Sequence, residues 1–413
     1  MVAKFIQPLW RALPAPIRTG FWGWFHQASL ARPPVSPPGI EPGDRVVIAG
    51  MFRSASGLGA WARSNYRILK RAGFDVVAVD VSEYLSVADL ECDIPFSPFP
   101  ADPTGTLILH VNGPETQYCL RMLGLRRGRR WRVIGAWAWE LEIFPAGWEE
   151  AFPFLSEIWA LSDFAAAAFR RHEAAPPVRV LPIAVAPDGA VRPQDRPSER
   201  PYTVLVMADA LSTLERKNPV GAIRAFRLAF ADRTDCRLIL KVRNLDTAPE
   251  ARASLLAEIG DAANIDLVQG SLSEAEQMSL ISGADILMSL HRAEGFGLGP
   301  AEAMTLGVPV IATNWSGNLL FMDTNSAALV PYERVPVPEG CAHYDLVGAE
   351  WAEPDVEVAA DWLRQLEAEP DLARSLAERA AQHINAICGI AAVQAGALRF
   401  LEHPGRADVQ ETS

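Results

Sequence analysis

The chain alternates between short apolar runs and longer stretches with apolar residues at helical spacing. In the first half the runs fall at 44–49 (DRVVIA), 75–81 (DVVAVDV), 107–111 (LILHV), 132–139 (RVIGAWAW) and 157–161 (EIWAL). A second series follows at 202–208 (YTVLVMA), 236–242 (CRLILKV), 265–269 (IDLVQ), 284–290 (ADILMSL) and 308–312 (VPVIA). Each has the length of a buried strand. Helical stretches lie between them at 60–71, 164–172, 220–230 and 301–307, and others close the chain at 356–368 and 372–401. Strand, helix and strand repeated in this way predict an α/β chain of βαβ units.

The most informative unit is 284–313. After the apolar run comes a glycine-dense loop, Glu294-Gly295-Phe296-Gly297-Leu298-Gly299. Pro300 is a good first helical residue, since its ring fixes φ and it has no N–H to leave unpaired. Gly307 is placed to cap the helix before the next strand. Glycines let the backbone approach a ligand, and the first N–H groups of a helix have no internal partner. Those donors and the positive end of the helix dipole favour a phosphate. Glu294 and Glu302 flank the loop; carboxylates repel phosphate but accept hydrogen bonds from sugar hydroxyls. Phosphate donors in the middle and acceptors on either side suit a nucleotide sugar.

Glu294 and Glu302 are separated by seven residues, and EGFGLGPAEAMTLGVPVIAT resembles the E-x7-E signature of the family 4 retaining glycosyltransferases. The resemblance spans about 45–400 and is strongest in 284–320. It implies a GT-B fold: two Rossmann-like domains facing across a cleft, with a late helix crossing back onto the first. It implies that Glu294 contacts the donor sugar, that the backbone of Gly295, Phe296, Gly297 and Leu298 holds the diphosphate, and that Glu302 binds the ribose. The family pairs a lysine with the diphosphate, and Lys217 in Glu215-Arg216-Lys217-Asn218-Pro219 matches it. The arginine usual some five residues earlier is replaced by Ser212, which leaves that task to Arg216 or to the loop backbone. A glycine loop on the first domain faces donor and acceptor in the family, and Gly57 and Gly59 match it. Arg243 ends a strand that would flank the nucleotide.

On the acceptor side, His110 ends a strand where ligands commonly sit, or is a structural hydrogen-bonder. The segment Trp137-Ala138-Trp139-Glu140 resembles one subgroup, mostly bacterial mannosyl- and glucosyl-type enzymes, and lacks the family's frequent histidine. Trp139 and Glu140 offer a sugar-ring face and an acceptor, or pack beneath the cleft. The basic run Arg126–Arg132 is either a solvated turn or a contact to an anionic acceptor.

Composition adds bounds. At 413 residues, and roughly 150 per domain, two or three domains are expected. We divide the chain into an aromatic and proline-rich extension (1–44), an acceptor domain (45–190), a linker (191–201), a nucleotide-sugar domain (202–375), and a closing helix and tail (376–413). In the extension, Phe5, Trp10, Phe21, Trp22, Trp24 and Phe25 suit a peripheral membrane contact or an arm packed on its own domain. The formal charge of −12 argues against nucleic acid as a partner. Five unpatterned cysteines point to reduced thiols in a cytoplasmic setting. No run of about 20 apolar residues suggests a span, and no signal peptide is expected. No metal-ligand cluster or D-x-D stands out, and no cofactor is expected.

The expected function is transfer of a mannose- or glucose-type hexose to a glycan or lipid-linked acceptor in polysaccharide biosynthesis. The alternatives are an idle GT-B protein that binds a sugar nucleotide or a partner, and a nucleotide-sugar epimerase or phosphorylase of the same fold. Glu294→Ala and Lys217→Ala are each expected to abolish turnover without moving the melting temperature.

Overall fold

A computed structural model of the protein describes residues 29–185, 200–231 and 233–404. The aromatic residues of 1–28, most of the linker at 191–199 and the tail 405–413 lie outside the described residues.

Domain 1 is a six-stranded parallel sheet of β1 (Arg45–Gly50), β2 (Asp75–Asp80), β3 (Thr104–His110), β4 (Arg130–Trp137), β5 (Glu157–Ala160) and β6 (Val178–Val180), in the order β2-β1-β3-β4-β5-β6. Domain 2 repeats the plan with β7 (Tyr202–Asp209), β8 (Cys236–Arg243), β9 (Ile265–Gln269), β10 (Ile286–Ser289), β11 (Val310–Thr313) and β12 (Ala328–Val330), in the order β12-β11-β10-β7-β8-β9. The apolar runs are buried because helices cover both faces of each sheet, as parallel sheets require. Val46, Ile48, Val204, Leu205, Leu287 and Val310 are all at most 1% exposed. In both domains the chain order reverses beside the first strand, so the carboxyl ends of the strands open a crevice there.

Three helices matter for that crevice. α1 (Gly57–Arg71) starts from Ser56, whose side chain accepts from the Gly59 N–H, a normal helix cap. α2 (Glu274–Ser282) opens with a capping box between Ser273 and Glu276. The third, α3 (Leu298–Thr305), starts two residues before the predicted position. Gly297 takes φ +93° at its N-cap, and Pro300 then sits inside the first turn, where its missing N–H still costs nothing.

The end of the chain joins the two domains. α4 (Pro370–Cys388) packs on α3, and α5 (Ile390–Glu402) packs on α1. They divide at Gly389, where an added Cβ would lie 2.2 Å from the Asn385 carbonyl oxygen. The outgoing crossing is bonded to the returning one, because the Val185 N–H donates to Cys388 O at 2.9 Å. Two buried arginines of domain 1 hold the end of α5. Arg132 donates to Leu401 O and Phe400 O, and Arg179 to Phe400 O and His403 O. Cations at a helix C-terminus meet its unpaired carbonyls. Arg132 therefore leaves the basic run: it is buried, paired with Glu157 at 2.7 Å, and is no acceptor contact. Arg126, Arg127 and Arg130 are exposed.

Two further departures concern membrane and arm. Pro370–Glu402 is long and apolar enough to cross a membrane by length and composition, contrary to expectation; in this fold it packs on both domains. The described part of the extension lies on domain 1: Leu30 is buried, Ala31 donates to Leu125 O, and Ile40 to Leu401 O.

Candidate functional site

The glycine loop leaves β10 through His291, which is fully buried. Its Nε2 faces Asn318 Oδ1 at 3.0 Å and Trp315 O at 3.2 Å, and Nδ1 faces Ser289 Oγ at 3.0 Å. Two oxygens on Nε2 make it the donor there, so Nδ1 accepts from the serine hydroxyl. Burial holds the ring below its ordinary pKa, so it stays neutral.

This histidine ties the loop to the segment 313–318. The Glu294 N–H donates to Ser316 Oγ and the Gly317 N–H to Glu294 O, both at 2.8 Å. The two backbones are in such close contact that a Cβ on Gly317 would lie 2.2 Å from Gly295 O. Ser316 takes φ +81°, a strained value of the kind that clusters at binding sites. Among the described residues, no acceptor takes the N–H groups of Gly295, Phe296 or Gly297. α3 has no side-chain cap. Its first turn therefore presents open donors and a helix dipole to whatever enters. Phe296 itself points away, buried against Phe321 at 5.0 Å, so only its backbone is available.

Glu294 is 6% exposed and meets two cations. Lys217 Nζ bonds Oε1, and Arg216 Nη1 lies 3.3 Å from Oε2. Burial would push the carboxyl up; Lys217 and then Arg216 outweigh that and hold it at about 2. Both cations come from Leu214–Lys217, one helical turn set by Thr213 at φ +64° and Asn218 at φ +50°. Two positive charges against one carboxylate leave an excess of one, beside the open N–H groups. Lys217 is the cation with access to the cleft, its side chain 22% exposed against 3% for Arg216. Arg216 is spent inward, on Ala293 O at 2.6 Å, Ser212 O at 3.3 Å and Glu294. It supports the loop and does not stand in for the missing arginine at Ser212.

Glu302 has the opposite character. It lines an interdomain cavity of about 890 Å³, with Gln277, Leu272, Arg63, Tyr66 and Leu298 on its walls. The Gln277 amide donates to Oε2 at 2.7 Å. Burial is the main cause that raises its pKa to about 8, with Glu274 adding to it and Gln277 and Arg63 opposing. Of two carboxylates eight positions apart, one is therefore fixed as an anion and the other holds a proton at neutral pH.

The remaining predicted residues divide. Gly57 is exposed at the start of α1, and an added Cβ there would meet nothing within 4 Å. Gly59 is glycine for packing, since a Cβ would lie 2.2 Å from Ser54 O. Arg243 bridges the domains, donating to Ala55 O at 2.7 Å and pairing with Asp89 and Asp209 at 3.1 Å. His110 is not in the cleft: it is fully buried, edge-on to Trp61 at 5.0 Å and 3.2 Å from the Asn65 amide, and burial lowers its pKa to about 3. Strand alternation turns this side chain under α1. Trp139 is 3% exposed, donates to Ile143 O, meets Trp148 edge-on and lies tilted against Tyr344. It packs beneath the cleft and offers no free face. Glu140 is half-buried and accepts from Tyr344.

The sequence reading overlooked several neighbours. Arg63 crosses the cleft to Glu274 at 2.7 Å, and Ser162 donates to Gly295 O at 2.7 Å. Gln277 and Tyr344 carry no local signal at all. Ser162 alone had one, as the cap of the helix that follows β5.

A family model for family 4 glycosyltransferases in conflict systems matches residues 160–387. No curated protein matches the chain. Among solved structures, a glycosyltransferase from Rickettsia africae superposes with a TM-score of 0.61 at 13% identity, over 88% of this chain and 98% of that one. HepE from Anabaena, solved with UDP and glucose, gives 0.59 at 13% identity, over 86% and 99%. Sucrose-phosphate synthase from Thermosynechococcus elongatus gives 0.60 at 15% identity, over 87% and 98%. At these identities the likeness is one of fold: two Rossmann-like domains in the GT-B arrangement.

Proposed function

Because the chain belongs to the family 4 glycosyltransferases of conflict systems, we propose that it moves a mannose- or glucose-type hexose from a nucleoside-diphosphate sugar to a glycan or lipid-linked acceptor. The observation that carries this is the pairing of Lys217 with Glu294 beside the open N–H groups of Gly295, Phe296 and Gly297. The diphosphate would lie on those donors at the start of α3. Cleavage of the bond to the sugar builds negative charge on the diphosphate. Lys217 and the loop meet that charge where it develops, which is the most effective place for fixed donors. These groups supply the positive charge that the reaction needs, so the reading requires no metal and no cofactor.

Glu294 is held anionic and its two oxygens are engaged by cations. It accepts from sugar hydroxyls and orients the ring, rather than attacking the anomeric carbon. Glu302 and Gln277 border the cavity where a ribose and base would lie. With Glu294 orienting the ring, the family resemblance supports retention through attack on the face the diphosphate leaves. Domain 1 would bind the acceptor, on the cytoplasmic side, where a lipid-linked glycan of polysaccharide assembly is within reach. HepE, a fold neighbour, was solved with UDP and glucose, which supports a nucleotide-sugar donor here.

The test is incubation with a panel of nucleotide sugars and glycan acceptors, with products read by mass spectrometry and anomer by NMR. Transfer or slow donor hydrolysis with retained configuration is expected. A thermal shift with donor but no product from any pair would leave a binding protein, and inversion would overturn the mechanism.

A further inference from the structure

After β12 the chain leaves domain 2, forms a hairpin of β13 (Tyr332–Pro336) and β14 (Glu350–Pro354), and returns. The residues between the strands form a strap. Cys341, Tyr344, Ala349 and Trp351 are buried in the apolar cluster of domain 1 that includes Trp139 and Trp148. The strap is also fixed to the loop side, since Arg292 pairs with Glu353 at 2.5 Å and lies over Trp351 at 5.6 Å.

Tyr344 occupies a particular place on it. Its hydroxyl donates to Glu140 Oε2 of domain 1 at 3.1 Å. Its ring lies beneath the Arg216 guanidinium at 5.6 Å and against Trp139 at 5.6 Å. Arg216 in turn lies 3.3 Å from Glu294. A continuous chain of contacts thus runs Glu140, Tyr344, Arg216, Glu294, Lys217, and its three central members are at most 6% exposed. Its first link joins the two domains; the others lie within domain 2.

We infer that Tyr344 is a positioning residue that couples the docking of the strap on Glu140 of domain 1 to the orientation of Glu294. This rests on the donor-sugar role proposed for Glu294. Arg216 and Lys217 share one carboxylate, so any displacement of Arg216 turns Glu294. Arg216 is held by two backbone carbonyls and the Tyr344 ring, and Tyr344 is held in turn by Glu140 and Trp139 of domain 1. Without the Glu140 contact Tyr344 loses its charge-assisted bond, and the support it gives Arg216 loosens. The orientation of Glu294 therefore depends on the docking of the strap on domain 1.

Donor hydrolysis without acceptor isolates this effect, because acceptor contacts of Glu140 drop out. Tyr344→Phe keeps the ring and removes the bond. We expect kcat to fall about tenfold, as for a lost bond to a charged group, with donor KM changed by less than about twofold. Glu140→Ala, which removes the acceptor, should fall similarly, and the double variant no further than the worse single one. A purely structural bond would lower the melting temperature and leave kcat alone. Wild-type kcat in Tyr344→Phe, or losses that multiply in the double variant, overturn the coupling while the functional reading stands. A wild type inert toward every nucleotide sugar overturns both.

Discussion

Glu302→Gln tests the electrostatics of the cleft most directly. In the unfolded chain this carboxyl titrates near 4.5, and in the fold near 8. The native state therefore binds the proton more tightly, and stability falls as pH rises through that window. Across the window from 4.5 to about 8, the lost stability approaches about 5 kcal/mol at most. Water entering the cavity beside Glu302 reduces this, and we expect roughly 2–5 kcal/mol. Glutamine keeps an oxygen for the Gln277 amide and carries no proton to lose. Chemical denaturation of both proteins from pH 5 to 8.5 should show near-equal stability at the acid end. The variant should gain steadily toward the alkaline end, and contributions from other groups cancel in the difference. A pH-independent difference, or a wild type that gains relative to the variant on alkalinisation, would refute the reasoning. The same shift has a binding consequence. Ribose hydroxyls donating to Glu302 favour its anion, so donor binding at pH 7 should release up to about one proton, detectable by calorimetry in buffers of different ionisation enthalpy.

The two partners of the glycine loop should respond differently. Lys217→Ala should lower kcat by about 10²–10³, as for loss of a donor to developing charge, with little change in melting temperature because the side chain borders the cleft. Glu294→Ala should also abolish turnover, but it strands buried Arg216 and should cost about 3–5 kcal/mol, which corrects the expectation of an unchanged melting temperature. Gly317→Ala would place a Cβ 2.2 Å from Gly295 O; the loop must shift, and about a hundredfold loss of kcat is expected from a displacement near 1 Å. Near-normal kinetics in that variant would show that the loop is not held rigidly.

The sequence by itself determined what local chemistry can carry. Apolar runs of strand length, divided by helical stretches, announced two parallel-sheet domains. Glu294, the glycines and Glu302 announced a glycine turn at a helix start flanked by two carboxylates, because spacing and φ requirements are properties of neighbouring residues. Lys217 was legible in the same way, from the turn that opens the next helix. Other properties arise between segments far apart in the chain, where only packing brings them together. The burial that turns Glu294 into a fixed anion and Glu302 into a proton carrier is one. The inward turn of His110 under α1, the engagement of Arg216 with Ala293 and Tyr344, and the strap from domain 2 onto Trp139 are others. Strand-end position told that His110 lies near the crevice, but pleat alternation and the helix above it decided which way it points. The desolvation and charge pairing that set a site's protonation depend on distances in space, and no spacing along the chain encodes them.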